Sequence, residues 1–365
     1  MAHQVLRLFN LLPVLLVILQ YGWASISLNH PRSNFENAFG YLLHGRQSFG
    51  KYDLPPYPVE NYKWRGPENL GQISGISVDP IGNPVVFHRG DRIWDYNTFN
   101  DNFEYQDQHR GPILQDTVLT LDPKTGDILD GWGSDMFYLP HGIHIDTSGN
   151  IWLTDVALHQ VFKFQRGSNT PKLVMGHRFE PGEDLSHFCQ PTSVAVAPTG
   201  EIVVADGYCN SRIMVFNSVG GVREVIPRPG DFVALRVPHS LAIMPENRDV
   251  CVADRENMRV ICLDVGLDGS VEKRRPPRTI QRPDLGKVYA IASYANYLYA
   301  VDGPSSPMTP ARGYILNPKF ENIITPWGPV SGYFNKPHGI AVCPNGTALY
   351  VSEIGPNKIW KFILN

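Results

Sequence analysis

Neither sign of charge dominates this 365-residue chain: 32 Lys and Arg face 35 Asp and Glu, for a formal net charge of -3. Without a basic excess there is no electrostatic footprint for nucleic acid, and a mildly acidic balance gives an anionic membrane surface nothing to attract. Beyond residue 24 no run approaches the roughly 18 consecutive apolar residues of a membrane span, so none is expected in the mature chain. Also missing is any long apolar stripe at helical spacing, which removes the helices that a parallel α/β fold needs between its strands. Glycine and proline are plentiful, 33 and 31, but lack the collagen period. What the chain does have is aromatic area for a core, with 16 Tyr, 17 Phe and 7 Trp, and this excludes disorder as the main state.

The first segment stands apart. Arg7 precedes an apolar run from Leu8 to Leu19 that is broken by Asn10 and Pro13, and Gly22 and Ala24 place small residues where a signal peptidase reads. Residues 1–24 are therefore expected to be a secretory signal peptide; a retained signal anchor is the plainer alternative. A secreted, oxidising setting gives meaning to Cys189, Cys209, Cys251 and Cys262, whose three connectivities stay open at this point. Cys343 is the odd one out, expected as a small buried hydrophobe. The triplet Asn345-Gly346-Thr347 is a candidate glycosylation site.

From residue 68 onward the chain repeats itself. Each unit has an apolar strand, a Gly/Asn turn, a second strand usually ending in Asp, and a third strand. Clear copies begin at Pro140, Pro191, Pro238 and Pro337, with further copies at Val288 and Ile73. The spacing is roughly 50 residues, the period of a propeller blade. Short apolar runs such as Ile202-Val203-Val204-Ala205, punctuated by Gly, Pro, Asn and Asp, read as buried antiparallel strands. The expectation is an all-β, six-bladed β-propeller over 68–365, preceded by an irregular lead-in over 25–67.

Three of the units carry histidine at one repeat position: His141, His239 and His338, each after a proline. Equivalent positions face one another around a propeller axis, so three imidazoles can converge and leave a fourth metal position open. The alternative is that Pro-His merely serves the turn. Loops after the second strands add Tyr208, Arg255 and Arg89, and a guanidinium near Tyr208 would lower its pKa and make it a candidate base. Against that stands a blade-edge tyrosine with solvated arginines. Asp155, Asp206, Asp254 and Asp302 recur at one position and are expected to cap turns.

With these residues in place, the sequence resembles the peptidyl-α-hydroxyglycine α-amidating lyase family, propellers of NHL-like repeats, in a free-standing form. The resemblance runs from about Gly71 to Phe362 and rests on FHRGD at Phe87, FYLPHG at Phe137, TDVALHQVFKF at Thr154, HFCQPTSVAV at His187, DGYCNSRI at Asp206, VPHSLA at Val237 and VADREN at Val252. It implies zinc on His141, His239 and His338, Tyr208 as catalytic base, and Arg89 and Arg255 lining the substrate site. It implies a calcium ion helped by the backbone carbonyls of Ile76 and Ile143. It also implies the disulfides Cys189 to Cys209 and Cys251 to Cys262, which proximity within repeats favours as well. The substrate would be a peptide ending in α-hydroxyglycine, made by a separate peptidylglycine monooxygenase and cleaved by a monomeric enzyme to a peptide amide and glyoxylate. One departure stands out: the family's last blade reads Met-Pro-His-Asp, its Asp serving the calcium, where this chain has Lys336-Pro337-His338-Gly339. Gly339 brings no carboxylate oxygen, Lys336 brings a charge, and Glu353 is the candidate to compensate. The rival reading is an inactive secreted propeller that keeps the scaffold and binds peptides.

Overall fold

The computed structural model describes residues 54–365 apart from 229, 230, 232, 247, 268–273 and 305–309; the expected signal peptide lies outside the described residues. Six four-stranded antiparallel sheets form the blades. Their inner strands are Ile73–Val78, Pro140–Ile145, Ser193–Val196, Pro238–Ile243, Lys287–Tyr294 and Pro337–Val342. Each inner strand packs on the next and the sixth returns to the first, closing a ring around a channel of about 460 Å³. The propeller expected from the repeats is the fold observed.

Burial explains why the strands read as apolar runs. Second strands such as Ile202–Asp206 and Val250–Asp254 are buried throughout, whereas the outermost strand Val222–Ile226 buries only its last residue. Each core lies between blades: Val203, Ile213 and Val215 of blade three pack with Val250, Val252 and Ile261 of blade four. Covering such residues contributes about 1.5–3 kcal/mol each, so no blade is stable without its neighbours.

The ring is closed by a strand that the repeat pattern did not reveal. Pro58–Glu60, within the stretch expected to be irregular, pairs antiparallel with Ile359–Leu364 and becomes the outer strand of the last blade. Glu60 then accepts the backbone N–H groups of Val330 and Ser331 at 2.6 and 2.8 Å. Three residues with a proline carry no periodicity, and their partner lies at the far end of the chain.

The repeated acidic residues cap loops, as expected. Asp155 accepts the N–H groups of Tyr138 and Leu139, Asp206 that of Cys189, Asp254 that of Arg236, and Asp302 that of Gly286. Each fixes the loop leading into an inner strand. Glu353 does the same in blade six: one oxygen accepts Asn335 and Lys336 N–H and the other the Trp360 indole N–H. Both disulfides pair as expected, Cys251 with Cys262 directly across two strands, and Cys343 is free and buried. Among the described residues no helix is long and apolar enough to cross a membrane.

Candidate active site

At the start of the inner strands the ladder slips. Register shifts fall at Ile73/Gly75, Pro140/Ile143, Pro238/Ser240, Val288/Ala290 and Pro337/Gly339, in five of the six blades. A bulge leaves one residue unpaired and re-aims its side chain. In blades four and six that residue is His239 or His338, in blade two the shift spans His141 and Gly142, and all three histidines line the channel. Their ring centroids are 4.9, 4.9 and 4.8 Å apart, close to threefold symmetric, and each residue is at most 4% exposed.

The alternate blades fix the protons. His141 Nδ1 lies 2.7 Å from the carbonyl of Thr192 in blade three, His239 Nδ1 2.6 Å from that of Tyr289 in blade five, and His338 Nδ1 2.6 Å from that of Ser74 in blade one. A carbonyl only accepts, so each Nδ1 carries the hydrogen and each Nε2 keeps its lone pair. Burial first, then the positive groups nearby, hold His141 and His239 far below the ordinary histidine range and His338 down to about 3. All three are neutral at pH 7. Three neutral imidazoles, their nitrogens within 4.8 Å of one another and oriented by hydrogen bonds from the far ring nitrogen, suit a metal ion.

Tyr208 enters from blade three. Its hydroxyl lies 3.0 Å from His141 Nε2 and 3.1 Å from His239 Nε2, so it sits where the imidazoles converge. A Cβ on the preceding Gly207 would lie 2.2 Å from the Pro238 carbonyl oxygen, so only glycine lets the loop pass close enough. The Arg255 guanidinium is stacked between Tyr208 and Tyr289, 5.2 and 5.1 Å from their centroids, and its Nε donates to Glu256 at 3.0 Å. Arg89 is 2% exposed and donates to the Pro140 carbonyl and to Gln72, with its guanidinium 5.4 Å from the Trp94 ring. No carboxylate among the described residues pairs with it. Burial lowers its pKa to about 10, which still leaves it charged at pH 7.

For the phenol, the expected direction is reversed. Burial raises the Tyr208 pKa more than Arg255 and Arg89 lower it, so the group stands above the ordinary tyrosine value. Two residues that the repeat comparison missed complete the site. Trp94, in the long loop after strand Pro84–His88, packs 4.6 Å from Tyr208, and Tyr289 lies 5.3 Å from His239. Trp94 lies at the end of the blade-one copy with no counterpart at the clear copies, and Tyr289 follows Val288 where blades two, three, four and six have proline.

The calcium expectation meets a different channel. Ile76 and Ile143 line it, yet none of the residues lining it is Asp or Glu. A Cβ at Gly339 would lie 2.6 Å from Ser352 Oγ, a buried hydroxyl with no hydrogen-bond partner. Glu353, committed to its loop and to Trp360, does not compensate, and Lys336 is exposed outside the channel lining. A donor set without a carboxylate does not fit calcium.

Comparison with known proteins agrees with this architecture. Residues 188–216 and 235–263 match the NHL repeat. The chain is 48% identical, over 88% of its length and 80% of the relative's, to peptidyl-alpha-hydroxyglycine alpha-amidating lyase 2 of Drosophila melanogaster. It is 43% identical to the peptidyl-glycine alpha-amidating monooxygenase of Mus musculus over 84% of this chain and 32% of that protein, so it spans about a third of that relative. Among solved structures, the crystal structure of a nidogen/laminin complex superposes with a TM-score of 0.53 at 15% identity, covering 74% of this chain and 84% of that one. At that identity the likeness concerns the fold alone.

Proposed function

The chain belongs to the peptidyl-α-hydroxyglycine α-amidating lyase family, and we propose that it cleaves the N–Cα bond of a C-terminal α-hydroxyglycine to release a peptide amide and glyoxylate. The observation that carries the reading is the convergence of three buried imidazoles, with the Tyr208 hydroxyl against two of their Nε2 atoms, beside two guanidiniums. His141, His239 and His338 would hold zinc, which when bound supplies Lewis-acid chemistry that lowers the pKa of an oxygen beside it. In its phenolate form, which Arg255, Arg89 and a bound zinc would favour against the effect of burial, Tyr208 Oη is placed to take the proton of the substrate hydroxyl. As that O–H pair becomes the carbonyl of glyoxylate, the N–Cα pair leaves with nitrogen, and the proton held on Tyr208 balances the departing amide. Arg89, charged and without a carboxylate partner, suits the substrate carboxylate, while Arg255 lies against the phenol ring. Trp94 packs against Tyr208 and the Arg89 guanidinium.

Two disulfides support a secretory-pathway location, and the exposed Asn345 turn is open to glycosylation. The substrate would come from a peptidylglycine monooxygenase, an activity named in the Mus musculus relative. Glyoxylate release from a short peptidyl-α-hydroxyglycine tests the assignment. Release above the spontaneous rate, abolished by chelator and restored by zinc, is expected. Folded, zinc-loaded protein that releases none would leave the peptide-binding propeller as the better reading.

A further inference from the structure

We propose that His177, Glu180 and His187 form a second metal site for a zinc-like divalent ion, on the loop between blades two and three. These three residues offer ligand atoms within 4.8 Å of one another. The two imidazoles lie face to face, centroids 4.2 Å apart and planes 24° apart, and His187 Nε2 is 3.9 Å from Glu180 Oε2. On its other side, His187 Nδ1 is 2.9 Å from both oxygens of Asp184. The carboxylate accepts the Nδ1–H, so the Nε2 lone pair is left free in the ring plane on the side of Glu180, with His177 stacked on the ring face. This is the outer-shell arrangement that orients an imidazole for metal.

The loop that carries the group is held in place. Glu180 N–H bonds the His177 carbonyl and Gly182 N–H the Phe188 carbonyl. Arg212 donates to the carbonyls of Asp184 and His187 at 3.0 and 2.9 Å, and Asn210 to that of Gly182 at 2.8 Å. The Cys189–Cys209 disulfide anchors the end of the loop. Only side-chain rotation is left to supply. His177 and Glu180 are exposed, so contraction to the roughly 2.0–2.1 Å bonds of zinc meets no packing resistance. Two imidazoles and one carboxylate select zinc, copper or nickel over calcium and magnesium, and water completes the shell. This site is chemically separate from the three buried histidines, because its ligands come from one loop and face solvent.

The test counts zinc on the metal-free full chain by equilibrium dialysis, comparing wild type with His177→Ala and Glu180→Gln. His177→Ala should bind one zinc fewer per chain, and Glu180→Gln should weaken one equivalent by about tenfold or more. Because the readout is a difference, it stands whether or not the buried site fills. Substituting an exposed histidine leaves the core intact, and an unchanged circular dichroism spectrum checks this. Equal zinc stoichiometry in wild type and His177→Ala would overturn the proposal.

Discussion

Even and odd blades present one backbone position to the channel mouth with different chemistry. Blades two, four and six place His141, His239 and His338 there, while blades one, three and five place Ser74, Thr192 and Tyr289, whose carbonyls receive the Nδ1 hydrogens. A sixfold scaffold thus yields a threefold site in which one half supplies imidazoles and the other half orients them. At this position even blades act through side chains and odd blades through backbone, although Tyr289 also lends its ring to Arg255. Substitutions should therefore be severe in the first set and mild in the second.

The largest effect is expected at His239→Ala. Losing one ligand of the buried set should remove its zinc and lower glyoxylate release by about 10³-fold or more, since metal stabilisation is worth several kcal/mol. Tyr208→Phe, from an odd blade but at the end of its second strand, should keep the zinc and lower kcat by about 10²–10⁴-fold. That pair separates ligand from base.

An acid titration of the metal-free protein tests whether the imidazoles are neutral in the fold. His144 and His159 are held at about 4 by burial and His338 at about 3, below the ordinary 6.5. Between those values the unfolded chain binds more protons, so stability should fall as pH drops from about 6.5 toward 4. Asp206 and Asp302, raised by burial to about 6, act in the opposite direction between 3.8 and 6. Asp155, Asp249 and Glu353 are raised by burial as well, so the loss of stability should be clearest above about pH 6, before these carboxyls take up protons, and urea unfolding reads it. The smallest effect belongs to Thr192→Val. It removes a hydroxyl that bonds the Pro238 carbonyl at 2.7 Å and should cost about 1 kcal/mol, with zinc affinity unchanged because the carbonyl remains.

Side-chain repeats were readable from sequence, and backbone and long-range features were not. Pro-His at equal repeat positions placed His141, His239 and His338 correctly, and strand-end Asp155 and Asp206 announced their capping role. The accepting carbonyls of Ser74, Thr192 and Tyr289 belong to no residue type and leave no mark in sequence. Trp94 sits in a single loop, and Pro58–Glu60 finds its partner only when the ring closes. At Tyr208 the neighbouring guanidiniums were visible but the burial that outweighs them was not. Gly339, which brings no carboxylate, was legible in sequence, and no Asp or Glu is among the residues that line the channel.

The central claim is that three imidazoles bind zinc through Nε2. Zinc-edge X-ray absorption on the His177→Ala chain, which lacks the surface group, reads this directly. The account predicts three histidine nitrogens at about 2.0–2.1 Å with one oxygen; a shell made only of oxygens, or one unchanged by His239→Ala, would contradict it.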